Sequence, residues 1–299
     1  MNKDITVAIP VYERPDYVKE AIDSALNQTI KPVILVIDNA SSHDGFKDIV
    51  ASYKDPDIQY VRNDENVGMV SNWNRCLELP KTKWLTILHD DDVLHPEFLE
   101  KTYQFAQTKP NAVAVSVECL VDTYIPDSFW FPAQKKPTIL EVQKPFFLFK
   151  NLTPYPGVLI NKEKLSDDNR FMPPNHPISD LYFWALLLDK GEMYLMVEKL
   201  AYYRISDKQE TVHTVTGLID HTFEFRKNYY DKLHSKGFLL KLTCQRANLH
   251  FIIYFKKKYK LNTLEDYINK VPYKGLLENN FVNRALDKYR RTVSYKKIQ

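Results

Sequence analysis

Glycine and cysteine are scarce in this chain, and long apolar runs are missing. Only 7 glycines occur in 299 residues, and the stretch after the first apolar segment reads Pro10-Val11-Tyr12-Glu13-Arg14 where a glycine-rich phosphate loop would stand. The 3 cysteines (Cys76, Cys119 and Cys244) are an odd, widely spaced set without metal-ligand spacing, which argues against a disulfide framework or a thiolate metal site. No apolar run approaches the ~20 residues of a membrane span. The N-terminus lacks the basic region, apolar stretch and small-residue cleavage site of a secretory signal. These absences lead to the expectation of a cytoplasmic protein with reduced thiols. Internal repeats and low-complexity segments are also missing.

What is present is ordinary for a globular chain: 44% hydrophobic and 26% charged residues, in a length that holds one large α/β domain and an appendage. The net charge of +3 hides an asymmetry. Residues 226–260 hold ten Lys/Arg against one acid, Asp231, a net of +9 that leaves −6 for the rest.

Apolar segments Ile5–Ile9, Val33–Ile37, Ile58–Val61 and Trp84–Leu88 read as buried strands. Between them lie amphipathic helical patterns, such as Val18, Ala21, Ile22, Ala25 and Leu26 at i, i+3, i+4, i+7 and i+8. A helix over 96–108 and a strand over 112–117 continue the alternation, which predicts an α/β fold with a mostly parallel sheet covered on both faces. Residues 122–137 have no usable period and read as a lid, a binding loop or a surface insertion. Asp180 starts a helix that Gly191 is expected to close. Beyond about residue 215 the pattern is helical, so the expected division is a site-bearing domain over 1–215 and a basic, mostly helical region over 216–299.

The stretch His89-Asp90-Asp91-Asp92 follows the Trp84–Leu88 strand directly, at the carboxyl end where open α/β sheets bind ligands. Three adjacent carboxylates repel one another. Either water solvates them in a turn that caps the next helix, or a hard divalent cation, Mg²⁺ or Mn²⁺, compensates them. Asp90 and Asp92 would project to one side of an extended loop. His89 and His95 flank the acids and read as hydrogen-bonding partners rather than ligands.

Three loops line up in order: Pro10–Arg14 after the first strand, Asp38-Asn39-Ala40-Ser41-Ser42 after the second, and His89–Asp92 after the fourth. With Asn66, Gly68 and Asn74, then Ser179-Asp180, Glu198-Lys199-Leu200 and Tyr203-Arg204, this pattern over residues 4–213 resembles glycosyltransferase family 2, inverting enzymes of the GT-A fold. The resemblance implies transfer of a hexose or N-acetylhexosamine from a UDP-sugar to a saccharide hydroxyl, the acceptor being a lipid-linked surface polysaccharide. It places Asp92 on Mn²⁺ or Mg²⁺, Asp90 and Asp91 at the metal and the nucleotide, and Asp180 as general base. In isolation Asp180 reads first as a helix N-cap, and its position in the family pattern makes it the base. The opening motif, Pro10, Tyr12, Glu13 and Arg14, is implied at the donor, with Tyr12 stacking on uracil and Asp38 accepting its ring N–H. Arg14 and Arg204 are candidates for the diphosphate, although Arg204 could equally hold a structural carboxylate. Asn66 and Asn74 fix the loop and helix ends beneath the site.

The chain departs from the family pattern at Asn39, at Ser179 and at Ser206, where a metal-binding His is usual; His213 is the substitute considered. A nucleotidyltransferase is disfavoured by the missing glycine loop. A non-catalytic nucleotide-sugar-binding scaffold is the other rival, suggested by Asn39 and Ser179. Nucleic acid is not an expected partner. The basic 226–260 stretch, with Leu240, Cys244, Ala247, Phe251 and Tyr254 as an apolar stripe and Arg246 off it, either lies on an anionic membrane surface or packs on the protein.

Overall fold

The computed structural model describes residues 4–150, 155–166, 168, 170–171, 178–205, 215–233, 237–259 and 264–298. Contacts divide the chain into two compact units, one of Met1–Glu141, Thr153–Ser206 and Lys297–Gln299, the other of Val142–Leu152 and Asp207–Lys296.

The first unit is built on strand β1 (Ile5–Val11), whose seven residues are all buried. An unbroken apolar run of this kind suits a strand covered on both faces. β2 (Val33–Asp38) and β4 (Trp84–Ile87) flank it, both parallel, and β3 (Ile58–Arg62) lies parallel outside β2. The chain steps outward from β1 to β3 and then crosses back to β4 on the other side of β1. That reversal opens a crevice at the carboxyl ends of β1, β2 and β4, the usual ligand position in such sheets. Helices α1 (Val18–Leu26), α2 (Gly45–Ser52) and α3 (Met69–Glu78) make the crossovers.

Antiparallel members enter only after residue 92. β8 (Val158–Asn161) is antiparallel to both β4 and β6 (Ala112–Asp122). β6 pairs in parallel with the long β9 (Glu192–Arg204), and β5 (Val93–Leu94) and β7 (Thr138–Val142) are antiparallel to β9. The sheet thus runs β7-β9-β6-β8-β4-β1-β2-β3, with α4 (Phe98–Gln107) and α5 (Ser179–Leu188) among its covering helices. β6 is five residues longer than the expected 112–117 strand. Its extra half, Glu118–Asp122, is mixed in polarity and only partly buried, so ladder pairing with Lys199–Arg204 defines it rather than an apolar pattern.

The second unit is helical: α6 (Val215–Lys232), α7 (Phe238–Tyr259), α8 (Glu265–Lys270), α9 (Lys274–Leu277) and α10 (Asn280–Ser294), with a 3-10 turn over Lys144–Leu148. Leu240 and Cys244 of the predicted stripe are buried here with Leu148, Phe149 and Leu233. Arg246, expected off the stripe, is buried too: it donates to Asn283 Oδ1 at 2.7 Å and, through both terminal nitrogens, to the Asp287 carboxylate at 2.5 and 2.9 Å. Arg226 is also interior, donating to Asn248 Oδ1 at 2.7 Å, and burial pushes its guanidinium down to about 10. Arg226 and Arg246 of the basic 226–260 stretch are therefore internal struts, because α7 packs against α6, α8, α9 and α10 within its own unit.

Gly191 has a different role from the left-handed helix closure expected of it; among the described residues Gly68 is the glycine with positive φ, at 85°. Instead, Glu192 N donates to Asn111 O at 2.9 Å, and a Cβ on Gly191 would lie 2.5 Å from that same oxygen and 2.7 Å from Val113 Cγ1. Close approach of two backbones, not chain reversal, requires the glycine. Gly191→Ala is expected to destabilise the protein by about 1–3 kcal/mol, read as a lower midpoint in urea unfolding; an unchanged midpoint would contradict the steric reading.

Candidate active site

Three loops meet at the carboxyl edge of β1, β2 and β4. The first turns sharply at Glu13 (φ 57°), with Arg14 N donating to Tyr12 O at 2.7 Å. Glu13 Oε1 and Oε2 accept from Ser42 N at 2.8 Å and Ser42 Oγ at 2.9 Å, and Glu13 N donates to Ser41 Oγ at 3.0 Å. These bonds lower the Glu13 carboxyl below its ordinary range, the Ser42 backbone N–H contributing most. Glu13 therefore fastens the first loop to the second. Pro10 is buried within β1, and Tyr12 leaves its ring 43% exposed beside this joint.

Asp38 ends β2 and is fully buried. Its Oδ1 accepts from Ser41 N at 2.9 Å and Ser41 Oγ at 2.6 Å, its Oδ2 accepts from Tyr60 OH at 2.6 Å, and Arg62 Nε stands 3.5 Å away. Both oxygens are engaged in shaping the second loop. Asn39, in the place of the family's second acid, works the same way. Its Nδ2 donates to Asn66 Oδ1 at 2.8 Å, and its Oδ1 accepts from Asn63 Nδ2 and Val67 N, both at 3.1 Å. Asn63 continues the chain to Asn72 Oδ1 at 3.0 Å, so an amide relay ties β2, β3 and the start of α3 together. Periodicity gave no sign of Asn63 and Asn72; only the position of Asn66 hinted at this framework.

The third loop carries the acids. Among the described residues His89, Asp91 and Asp92 form a group in which one ligand atom from each lies within 4.8 Å of the others. Asp90 is not part of it; its Oδ1 sits 3.5 Å from Arg14 Nη2. His89 thus stands where hydrogen bonding alone was expected of it, while His95 does keep to hydrogen bonding, with Nδ1 accepting from Glu97 N and Nε2 at 3.0 Å from Phe131 O. The His89 ring stacks on Trp73 at 5.5 Å, and burial lowers its pKa, which favours the neutral imidazole a metal requires. His213, the sequence's candidate third ligand, lies outside the described residues.

Arg204 braces this loop. Its N–H donates to Asp92 Oδ1 at 3.0 Å, its Nε to Asp91 O at 2.9 Å and its Nη2 to Glu20 Oε2 at 2.5 Å, while its guanidinium covers the Tyr17 ring at 4.4 Å. With 9% of its surface exposed, Arg204 holds a structural carboxylate, that of Glu20, together with the acid loop. Arg14, 39% exposed and loosely paired, stays accessible.

The remaining Asp92 oxygen tests whether the site fits a cation. Oδ2 is buried and accepts no hydrogen bond among the described residues. Burial, then the neighbouring Asp91, raises the Asp92 carboxyl well above its ordinary value, which disfavours the charged form in the absence of a compensating cation. A buried carboxylate oxygen with no donor is costly, and a divalent ion shared with His89 and Asp91 would satisfy it. The residues fit Mn²⁺ or Mg²⁺ in type and proximity.

Asp180 occupies the first turn of α5, half-buried, its Oδ1 accepting from Leu181 N at 2.8 Å. It is not the N-cap; Ile178 holds that position. Asn74 and Phe171 exchange two hydrogen bonds, Asn74 Nδ2 to Phe171 O at 3.1 Å and Phe171 N to Asn74 Oδ1 at 2.8 Å. The Phe171 ring packs on Trp73 at 5.7 Å and Phe183 at 4.1 Å. Through Trp73, stacked on His89, this aromatic group links the acid loop to the helix bearing Asp180.

Burial, then Asp91, pushes the Asp90 carboxyl up to about 7, outweighing the partly exposed Arg14. A carboxyl raised in the folded state contributes stability that is full below its unfolded value near 4 and lost as pH climbs through about 7. In metal-free buffer Asp90→Asn is therefore expected to stabilise the protein by about 1–3 kcal/mol at pH 8 and by little at pH 4. Thermal melts across that range check it; a gain that does not change with pH would contradict the assignment.

The pattern of glycosyl transferase family 2 matches residues 6–160. The protein named teichuronic acid biosynthesis glycosyltransferase TuaG, from Bacillus subtilis, is 29% identical over 213 residues, covering 67% of this chain and 79% of TuaG. Staphylococcus aureus TarS 1–349, solved with UDP-GlcNAc, superimposes with a TM-score of 0.61 at 12% identity over 96% of this chain and 89% of that one. In a longer TarS structure this chain spans 52% of the length. The mannosyltransferase PcManGT from Pyrobaculum calidifontis, solved with GDP-Man and Mn²⁺, gives 0.57 at 15% identity, covering 96% and 87% of the two chains. The structural likenesses show the fold alone, but the family match takes in more than half of the chain and spans all three loops. The chain belongs to glycosyl transferase family 2 and has its GT-A fold.

Proposed function

We propose that this protein transfers a hexose or N-acetylhexosamine from a UDP-sugar to a hydroxyl of a saccharide acceptor, with inversion, in the assembly of a bacterial surface polysaccharide of capsule or lipopolysaccharide type. The observation that carries the reading is the group of His89, Asp91 and Asp92 at the sheet's carboxyl edge, both aspartates buried and Asp92 Oδ2 without a hydrogen bond among the described residues. The donor class is supported by UDP-GlcNAc bound to TarS and GDP-Man bound to PcManGT, and the polysaccharide by the name of TuaG. The acceptor is taken as lipid-linked, on the cytoplasmic face of the membrane. No helix among the described residues is long and apolar enough to cross a membrane.

The reaction forms a bond from the acceptor oxygen to the anomeric carbon and breaks the bond from that carbon to the diphosphate. When bound, Mn²⁺ or Mg²⁺ acts as a Lewis acid that stabilises charge on the departing phosphate. Asp92, His89 and Asp91 would hold it. Arg14, close to Asp90 and accessible, adds a guanidinium for the diphosphate oxygens. Tyr12 offers an exposed ring for the uracil, and Asp38 acts at one remove by fixing Ser41 and Tyr60. Asp180, in the first turn of α5, receives the acceptor proton as general base. Attack opposite the leaving diphosphate inverts the centre because no protein carboxylate takes the sugar.

Two substitutions separate these roles. Asp180→Asn is expected to leave UDP affinity unchanged in calorimetry and to reduce transfer by about 10²–10⁴-fold; collapse of UDP binding would make Asp180 structural. Asp92→Ala should abolish the Mn²⁺ dependence of UDP binding, and His89→Ala should weaken it. An unaltered Mn²⁺ dependence in both would move the ion elsewhere.

A further inference from the structure

The helical unit carries 20 Lys/Arg against 9 Asp/Glu, a net of +11, which leaves −8 on the remaining residues. On this basic unit, exposed large apolar side chains gather at one end. Phe238 (61% exposed) and Leu239 open α7, Tyr273 and Leu276 lie one turn apart at α9, and Phe281 (81% exposed) stands in the first turn of α10. Tyr254, farther along α7, is the remaining exposed large apolar residue of this unit among the described residues.

Contacts connect the segments that carry the five. The Phe238 ring meets the Tyr273 ring edge-on at 5.7 Å. Asn279 N donates to Leu276 O at 3.2 Å, and the Asn279 side chain accepts from Phe281 N at 2.9 Å and Val282 N at 3.2 Å, so only a capped turn separates α9 from Phe281. Tyr273 holds φ at 63°, a region non-glycine residues seldom enter, and keeps its ring 44% exposed there. Cations lie close to these residues along the chain. Lys241 lies one turn on from Phe238, Arg284 one turn on from Phe281, and Lys270 and Lys274 bracket Tyr273; Glu278 is the acid among them.

Exposed rings and leucines set among Lys and Arg match the interfacial zone of a bilayer, where apolar tips enter the headgroup region and cations meet lipid phosphates. A second copy of the chain would bring the same net positive charge against the patch. We propose that Phe238, Leu239, Tyr273, Leu276 and Phe281 form the face by which the helical unit seats on an anionic lipid bilayer. This deepens the reading of a lipid-borne acceptor and rests on that reading for its purpose. It differs from the apolar stripe of 226–260, whose Leu240 and Cys244 are interior.

Co-sedimentation of the full-length chain with vesicles tests it. Binding is expected to phosphatidylglycerol–phosphatidylethanolamine vesicles, weakened by salt, and not to phosphatidylcholine vesicles. The pair Phe238→Ser and Phe281→Ser should weaken binding about tenfold or more, and Lys241→Glu with Arg284→Glu should do likewise. Circular dichroism and UDP-sugar hydrolysis in solution should be unchanged, which keeps failure of this proposal distinct from failure of the glycosyltransferase reading. The proposal is overturned if the wild type ignores anionic vesicles at low salt, or if either pair of substitutions leaves partitioning intact. It is overturned equally if the patch mediates self-association, seen as a concentration-dependent mass that the Phe pair abolishes, without vesicle binding.

Discussion

Negative charge confined without water is the constraint around which the sheet-bearing unit is arranged. Asp90, Asp91 and Asp92 are all buried at the end of β4, and both Asp90 and Asp92 are driven toward their neutral forms by burial and by Asp91. A solvated turn would not show this. The protein accepts the cost and surrounds the loop with restraints. Arg204 reaches it from β9 with a backbone and a side-chain N–H. Trp73 stacks on His89 from α3. Such an arrangement suits an incoming cation better than bulk water, because the oxygens are already placed and already dehydrated.

The two neighbouring loops show a different economy. Asp38, Asn39, Asn63, Asn66 and Asn72 use short polar side chains to hydrogen-bond one another and the backbone. A buried amide supplies donor and acceptor together without a charge to neutralise. Asn39 therefore need not be read as loss of function: where a second acid would have joined Asp38 in a buried pair, an amide links β2 to the loop beneath α3. Glu13 completes the framework by clasping Ser42.

The parallel half of the fold was legible because continuous apolar runs and 3.6-residue periods alternate cleanly up to residue 92. The long β6–β9 ladder was less so. Glu118–Asp122 has no apolar alternation, and its strand state comes from its partner. At the site, the order of motifs located the right loops, but side-chain direction escaped the sequence. The sequence leaves Arg204 between phosphate and a structural carboxylate, and it faces the loop's interior; hydrogen bonding alone is expected of His89, which stands among the acids. Asp38, expected at the base, accepts from Ser41 and Tyr60 with its two oxygens. Burial sets these outcomes, and residue identity does not report burial. In the helical unit, Arg226 and Arg246 carried the same lesson, since counted charge proved partly internal.

The central claim is that the acid loop holds a divalent ion against the donor's diphosphate. The most direct measurement is anomalous diffraction from a crystal soaked with Mn²⁺ and UDP. The account predicts one manganese peak within coordination distance of Asp92 Oδ2, shared with His89 or Asp91, with the UDP phosphates beside it. Nucleotide bound in the crevice with no ion at residues 89–92, or manganese elsewhere on the chain, would contradict it.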